Sequence, residues 1–189
     1  WASLGWSQDQ LNVSLIDTWT DTTIEPGLEE AIFNDLWPFS LDGNNYVALG
    51  SNIGTHVLQV QENKLTLLDF EPGKFQQKYV EHRDFKTYKH YLYGVCDEGT
   101  SSLQIFDLSY LPDSIHKVYD SNIFFSVCHN IFIDTIHAKL YACGANNLGM
   151  KVFDISNPIA PELLHDFTAL DYVHDCYVRD DTAFLNAGY

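Results

Sequence analysis

Basic residues are scarce in this sequence. Ten Lys and Arg stand against 26 Asp and Glu, a formal charge of −16. Binding a phosphate backbone needs clustered Lys and Arg, so this balance excludes nucleic acid as a natural partner. Cations and basic surfaces suit the same field, and the plainest use of the acidity is solubility outside the cell. Long apolar runs are also missing, and nothing approaches the ~18 residues of a membrane-spanning helix. Helical periodicity is almost absent, and its one candidate, 25–33, reads as an irregular loop. None of Cys96, Cys128, Cys143 and Cys176 forms a CxxC, which removes zinc-ribbon and thioredoxin readings. Each falls in or beside an expected strand. Buried free thiols are the default there, with one or two disulfides open if the protein is exported. GxSxG, P-loop, dinucleotide and HExxH signatures are absent, and the segment from Asp17 to Asp21 lacks the Gly and distal Glu of a calcium loop. The sole methionine is Met150 and the chain opens at Trp1, which reads as a processed or truncated N-terminus. Residues 1–10 are either the tail of a leader or a polar start.

What is present is a core-forming, strand-leaning composition: 46% hydrophobic and 14% aromatic over 189 residues. It is arranged as a repeat. Each unit opens on a polar pair that runs into apolar residues. The pairs are Asn34-Asp35, Arg83-Asp84, His129-Asn130 and His174-Asp175, and their second members stand 49, 46 and 45 residues apart. A turn and a strand ending in a small residue follow, as in Tyr46-Val47-Ala48-Leu49-Gly50 and Leu140-Tyr141-Ala142-Cys143-Gly144. Asp42-Gly43 and Asp180-Asp181 mark hairpin turns. A third strand ends twice in Asp-[Leu/Ile]-Ser, at Asp107 and Asp154. A fourth, edge-like strand closes the unit, with Leu67-Leu68-Asp69-Phe70 and Leu164-His165-Asp166-Phe167 as close copies.

Four short strands per 45 to 49 residues predict an all-β chain, a β-propeller with four-stranded antiparallel blades. Residues 1–30 form a lead-in. Units then fall at about 31–78, 79–125, 126–170 and a truncated 171–189, some three and a half blades. Such a run cannot close a ring. The expectation is that the rest of its own propeller, or partner chains, cover the open edge, since a bare edge strand invites aggregation.

The motifs resemble those of the choice-of-anchor B family, whose members carry LVIVD-type propeller repeats. The residues that carry this likeness are Asn12 to Trp19, Asn34-Asp35-Leu36-Trp37, Arg83 to Tyr88, His129 to Asp134, Val152 to Pro158 and Asp171 to Asp175. The resemblance implies an exported, cell-surface protein of bacterial type, and no general enzymatic activity. Many relatives end in a C-terminal sorting segment.

The recurring pairs are the candidate site. Innermost strands converge on the axis of a propeller, so Asn34, Asp35, Arg83, Asp84, His129, Asn130, His174 and Asp175 are expected near one mouth of its channel. Three roles fit them. The favoured one is a structural ring of hydrogen bonds between blades, with Arg83 serving a carboxylate and each His an Asn or Asp. The second is a divalent metal held by Asp35, Asp84, His129, Asn130, His174 and Asp175. The histidines suit a transition ion, and the carboxylates with Asn130 suit calcium. The third is an active site with His129 or His174 as base. The favoured function is a non-catalytic surface module that binds protein or glycan or serves as scaffold. A metal-containing, hydrolase-like propeller is the alternative. Asn12-Val13-Ser14 matches a glycosylation sequon.

Overall fold

Residues 13–27 and 30–188 are described by the computed structural model. Trp1 to Gln10 and Asn12 of the sequon lie outside them. The chain is all-β, and a 3-10 turn at Ala145–Asn147 is the only helical element among the described residues. Three consecutive units are four-stranded antiparallel meanders. The first comprises β1 (Phe33–Leu41), β2 (Asn44–Ser51), β3 (Gly54–Gln61) and β4 (Lys64–Pro72). The second comprises β5 (Arg83–Tyr88), β6 (Tyr91–Cys96), β7 (Leu103–Asp107) and β8 (His116–Ser121). The third comprises β9 (Asn130–Asp134), β10 (Lys139–Cys143), β11 (Met150–Asp154) and β12 (Glu162–Phe167). β13 (Val173–Arg179) and β14 (Thr182–Ala187) pair as a two-stranded sheet.

The units are equivalent in detail. Each full sheet carries a register shift between its third and fourth strands, at Val57/Leu58, Ile105/Phe106 and Val152/Phe153. One extra residue there bends the outer strand and increases its twist. The Asp-[Leu/Ile]-Ser signature closes β7 and β11 as a side-chain turn. Asp107 Oδ1 accepts from Ser109 N and Asp154 Oδ1 from Ser156 N, at 2.9 and 2.8 Å. Leu41 and Asn44 pair across a two-residue turn in which Asp42 and Gly43 both have positive φ, the geometry that makes Asp-Gly the favoured hairpin pair.

Cores form between consecutive sheets. Ala48 and Val57 pack with Phe85, Leu92 and Phe106 of the second sheet. Tyr93 and Ile105 pack with Ile131, Leu140 and Phe153 of the third. Cys143 and Met150 pack with Val173, Cys176 and Val178 of the last. The second sheet, covered on both faces, is therefore buried almost continuously along β6 and β7. Along β8 and β12 burial lapses, since these fourth strands face outward. The first strands of consecutive sheets lie beside one another: β1 by β5, β5 by β9, β9 by β13. The lead-in docks on the first sheet. Trp19 packs on Phe33 and His56, and Asp17 Oδ2 accepts from Leu65 N at 2.8 Å. Among the described residues no helix is long and apolar enough to cross a membrane.

Candidate functional site

Adjacent first strands bring the leading pairs together. Asn34, Asp35, Arg83, Asp84, His129 and Asn130 line one recess of about 210 Å³, with Glu81 and His82 completing it. His174 adjoins through His129, its Nε2 standing 3.0 Å from His129 Nε2. Asp175 does not join them. Its Oδ1 accepts from Cys176 N in its own strand, and it lines a separate recess of about 340 Å³ with Tyr177 and Phe184.

The carboxylates act differently from the expected side-chain ring. Asp35 Oδ2 accepts from Phe85 N at 3.1 Å, and Asp84 Oδ2 accepts from Ile131 N at 2.7 Å. The same bond thus crosses two successive interfaces, from an aspartate to the backbone of the next sheet's first strand. Asp84 Oδ1 also accepts from Lys86 Nζ at 2.7 Å. Burial pushes the Asp84 carboxyl up to about 6, against the opposing pull of Lys86.

Arg83, 5% exposed, serves carbonyls rather than a carboxylate. Its Nε donates to Ser51 O at 2.7 Å and its Nη2 to Phe75 O at 3.0 Å. The guanidinium lies over Gly73, where a Cβ would collide with Nη2. Burial lowers its pKa, partly offset by Cys96 and Glu98. Asn34 Oδ1 accepts from Asp35 N at 3.1 Å and occupies the space that a side chain at Gly50 would fill. These demands leave Asp35 and Asp84 poorly placed as calcium ligands. As the side chains stand, no three His, Cys, Asp or Glu among the described residues meet where an ion would sit.

The histidines are organised by two acids outside the repeat pairs. His129 Nδ1 donates to Asp97 Oδ2 at 2.7 Å, and His82 Nδ1 to Glu98 Oε1 at 2.6 Å. Ring centroids of His82 and His129 are 5.5 Å apart, and those of His129 and His174 are 4.3 Å apart. Tyr172 lies 6.3 Å from both His129 and His174. Asp97 Oδ1 is buried without a hydrogen-bond partner.

Asp97, Glu98 and His82 escape sequence reasoning because they belong to a single unit and leave no periodic trace. Two further acids reach the backbone of a neighbouring segment: Asp69 Oδ2 of β4 accepts from Ile115 N at 2.8 Å, as Asp17 Oδ2 of the lead-in does from Leu65 N. All four cysteines are buried and unbridged. A hydrogen bond to Cys176, reinforced by burial, pushes the Cys143 thiol far up, and burial does the same to Cys128. Neither thiol is a nucleophile at neutral pH. No protein-family model matches this chain, and no curated protein matches it.

Proposed function

We propose that the chain is a run of β-propeller blades acting as a non-catalytic binding or scaffold module at the cell surface, of the choice-of-anchor B kind. One observation carries the reading: the leading Asp35, Arg83 and Asp84 of the first two units are spent on holding neighbouring sheets. Asp35 and Asp84 each accept a backbone N–H across an interface, and Arg83 ties two carbonyls. A general base or nucleophile must keep a free atom facing substrate. Side-by-side first strands and a bulge at one place in every full sheet support radially arranged blades. The recess then opens at the mouth of the channel, on a chain of charge −16. A basic protein surface or a glycan is the partner that this polar, acidic mouth fits.

The test is a turnover screen of the purified chain against chromogenic esters, phosphoesters, glycosides and peptides, with and without added divalent metal. No turnover above background is expected. A turnover that His129→Ala/His174→Ala abolishes at unchanged melting temperature overturns the reading in favour of a hydrolase.

A further inference from the structure

We infer that this chain associates head to tail with a second copy of itself, the β13–β14 hairpin of one copy seating on the free face of the first sheet of the other. The inference goes beyond the module's binding role and requires neither turnover nor a ligand.

The repeat locates the two surfaces. Asp35 reaches Phe85 N and Asp84 reaches Ile131 N, so Leu36, Phe85, Ile131 and Cys176, each one residue past its leading pair, hold one register place. Phe85 packs with Ala48 of the first sheet, Ile131 with the core of Tyr93 from the second, and Cys176 with Cys143 of the third. This place therefore points at the preceding sheet, and its three packed residues are 5% exposed or less. Leu36 is 57% exposed. The next residue along each strand points the other way, at the following sheet. Trp37 there packs on the Phe85 core and Phe132 on the Cys176 core, while their counterpart Tyr177 is 55% exposed. Ala48 and Tyr141, paired across from Trp37 and Phe132, pack in the same two cores. Phe184, paired across from Tyr177, is 58% exposed. A head at Leu36 and a tail at Tyr177 and Phe184 are thus the two halves of the contact that joins consecutive sheets.

Shapes agree. The small Ala48, beside Trp37, meets the large Phe85, whereas the aromatic pair Phe132 and Tyr141 meets the small Cys176. Bulk on one face is matched by smallness on the other, as close packing demands. Tyr177 and Phe184 are again two aromatics, bordering the recess of about 340 Å³, and Leu36 is smaller than Phe85. The polar ends agree as well. Asp175 is the tail's counterpart of Asp35 and Asp84, and Leu36 N is the head's counterpart of Phe85 N and Ile131 N. The outer end of the head carries an independent sign. Asp17 Oδ2 meets Leu65 N as Asp69 Oδ2 meets Ile115 N. Leu65 and Ile115 each stand two residues before the one that pairs just past the register shift, Leu67 and Lys117. The lead-in thus lies where the outer strand of a preceding sheet belongs, and the hairpin of the second copy takes the inner places beside it. Such a contact joins unlike faces, so copies either close into a ring or run on as a chain.

The experiment follows the mass of the full chain by sedimentation velocity over a wide range of concentration. Mass should rise above that of one copy. Each copy carries −16, so association should tighten from about 0.05 to about 0.5 M salt as that repulsion is screened. Leu36→Glu and Phe184→Glu, at exposed positions, should each weaken association by about 100-fold or more with the circular dichroism spectrum unchanged. Mixed together the two variants should associate, since one keeps an intact tail and the other an intact head. Hydrogen exchange should slow in β1, β2, β13 and β14 on association. A chain that stays monomeric throughout, variants that fail to complement, or slowing confined to the β14 edge, the mark of edge-to-edge pairing, overturns the inference. Such a failure leaves the turnover screen unaffected, so the two readings fall separately.

Discussion

Replacing Asp84 by alanine tests whether aspartate-to-backbone bonds hold consecutive sheets together. The residue is 6% exposed, and its Oδ2 takes the N–H of Ile131, a fully buried residue. Alanine leaves that N–H buried without a partner, a cost of about 1–3 kcal/mol. It also removes an acceptor from Lys86 Nζ, which keeps Phe85 O at 3.0 Å and the face of Trp37 at 4.6 Å, so this loss adds only about 1 kcal/mol. Relief from burying a carboxylate offsets part of the total. The net is about 2–3 kcal/mol. At about 2–4 °C per kcal/mol for a chain of this size, the melting point should fall by about 4–12 °C. Asparagine keeps an acceptor of the same shape, so Asp84→Asn should cost under about 1 kcal/mol at pH 7. Thermal melting by circular dichroism, with urea unfolding at unchanged slope, measures both. If the alanine variant melts within about 1 °C of the parent, or the asparagine variant falls as far as alanine, the bond to Ile131 is not what holds the interface.

Two further outcomes follow from the same buried groups. Asp84 titrates near 6 when folded against an ordinary 3.8, so the folded state holds its proton more tightly; its contribution is full below about pH 4 and is lost as pH rises to 6. Burial pushes His56 down to about 4 from 6.5, so its contribution is full above pH 6.5 and is lost as pH falls towards 4. The two nearly cancel in the parent. Asp84→Asn should steepen the loss of stability on acidification and His56→Phe should reduce it, read from urea midpoints at pH 4.5 and 6.5; equal slopes in all three proteins contradict the assignment. Arg83→Lys should cost about 2–4 kcal/mol, because a single ammonium cannot span Ser51 O and Phe75 O as the planar fork does, and a melting point within 2 °C of the parent would refute that geometry.

The strands and turns were legible from choices that stand at matching places in several units, such as the hairpin turns at Asp42-Gly43 and Asp180-Asp181, the Asp-[Leu/Ile]-Ser turn after the third strand of the second and third units, and a small residue where sheets approach. Gly50 shows the last of these, since a Cβ there would overlap Asn34 Oδ1 and stand 3.1 Å from a ring carbon of Phe85. The meeting of Asn34, Asp35, Arg83, Asp84, His129 and Asn130 was legible for the same reason, since residues repeated at one register share one side of the array. Their partners were not. Asp35 and Asp84 take backbone N–H groups, which every residue but proline carries and no letter of the sequence marks. Asp175 stands outside the group, its Oδ1 accepting from Cys176 N of its own strand.

Repetition and function therefore separate in this chain. The leading Asp35 and Asp84, like Asp17 of the lead-in and Asp69 of β4, are spent on backbone of a neighbouring segment, and any stack of such sheets must satisfy that demand. His129 and His174 belong to the repeated pairs; what does not recur is their setting with His82, Asp97 and Glu98, in which hydrogen bonds join side chains to each other. Side-chain to side-chain bonds of this kind are the minority class in folded proteins, and sheet packing does not call for them. This cluster, whose rings are ordered by two carboxylates that do not repeat, is where the molecule departs from what its repeat alone requires.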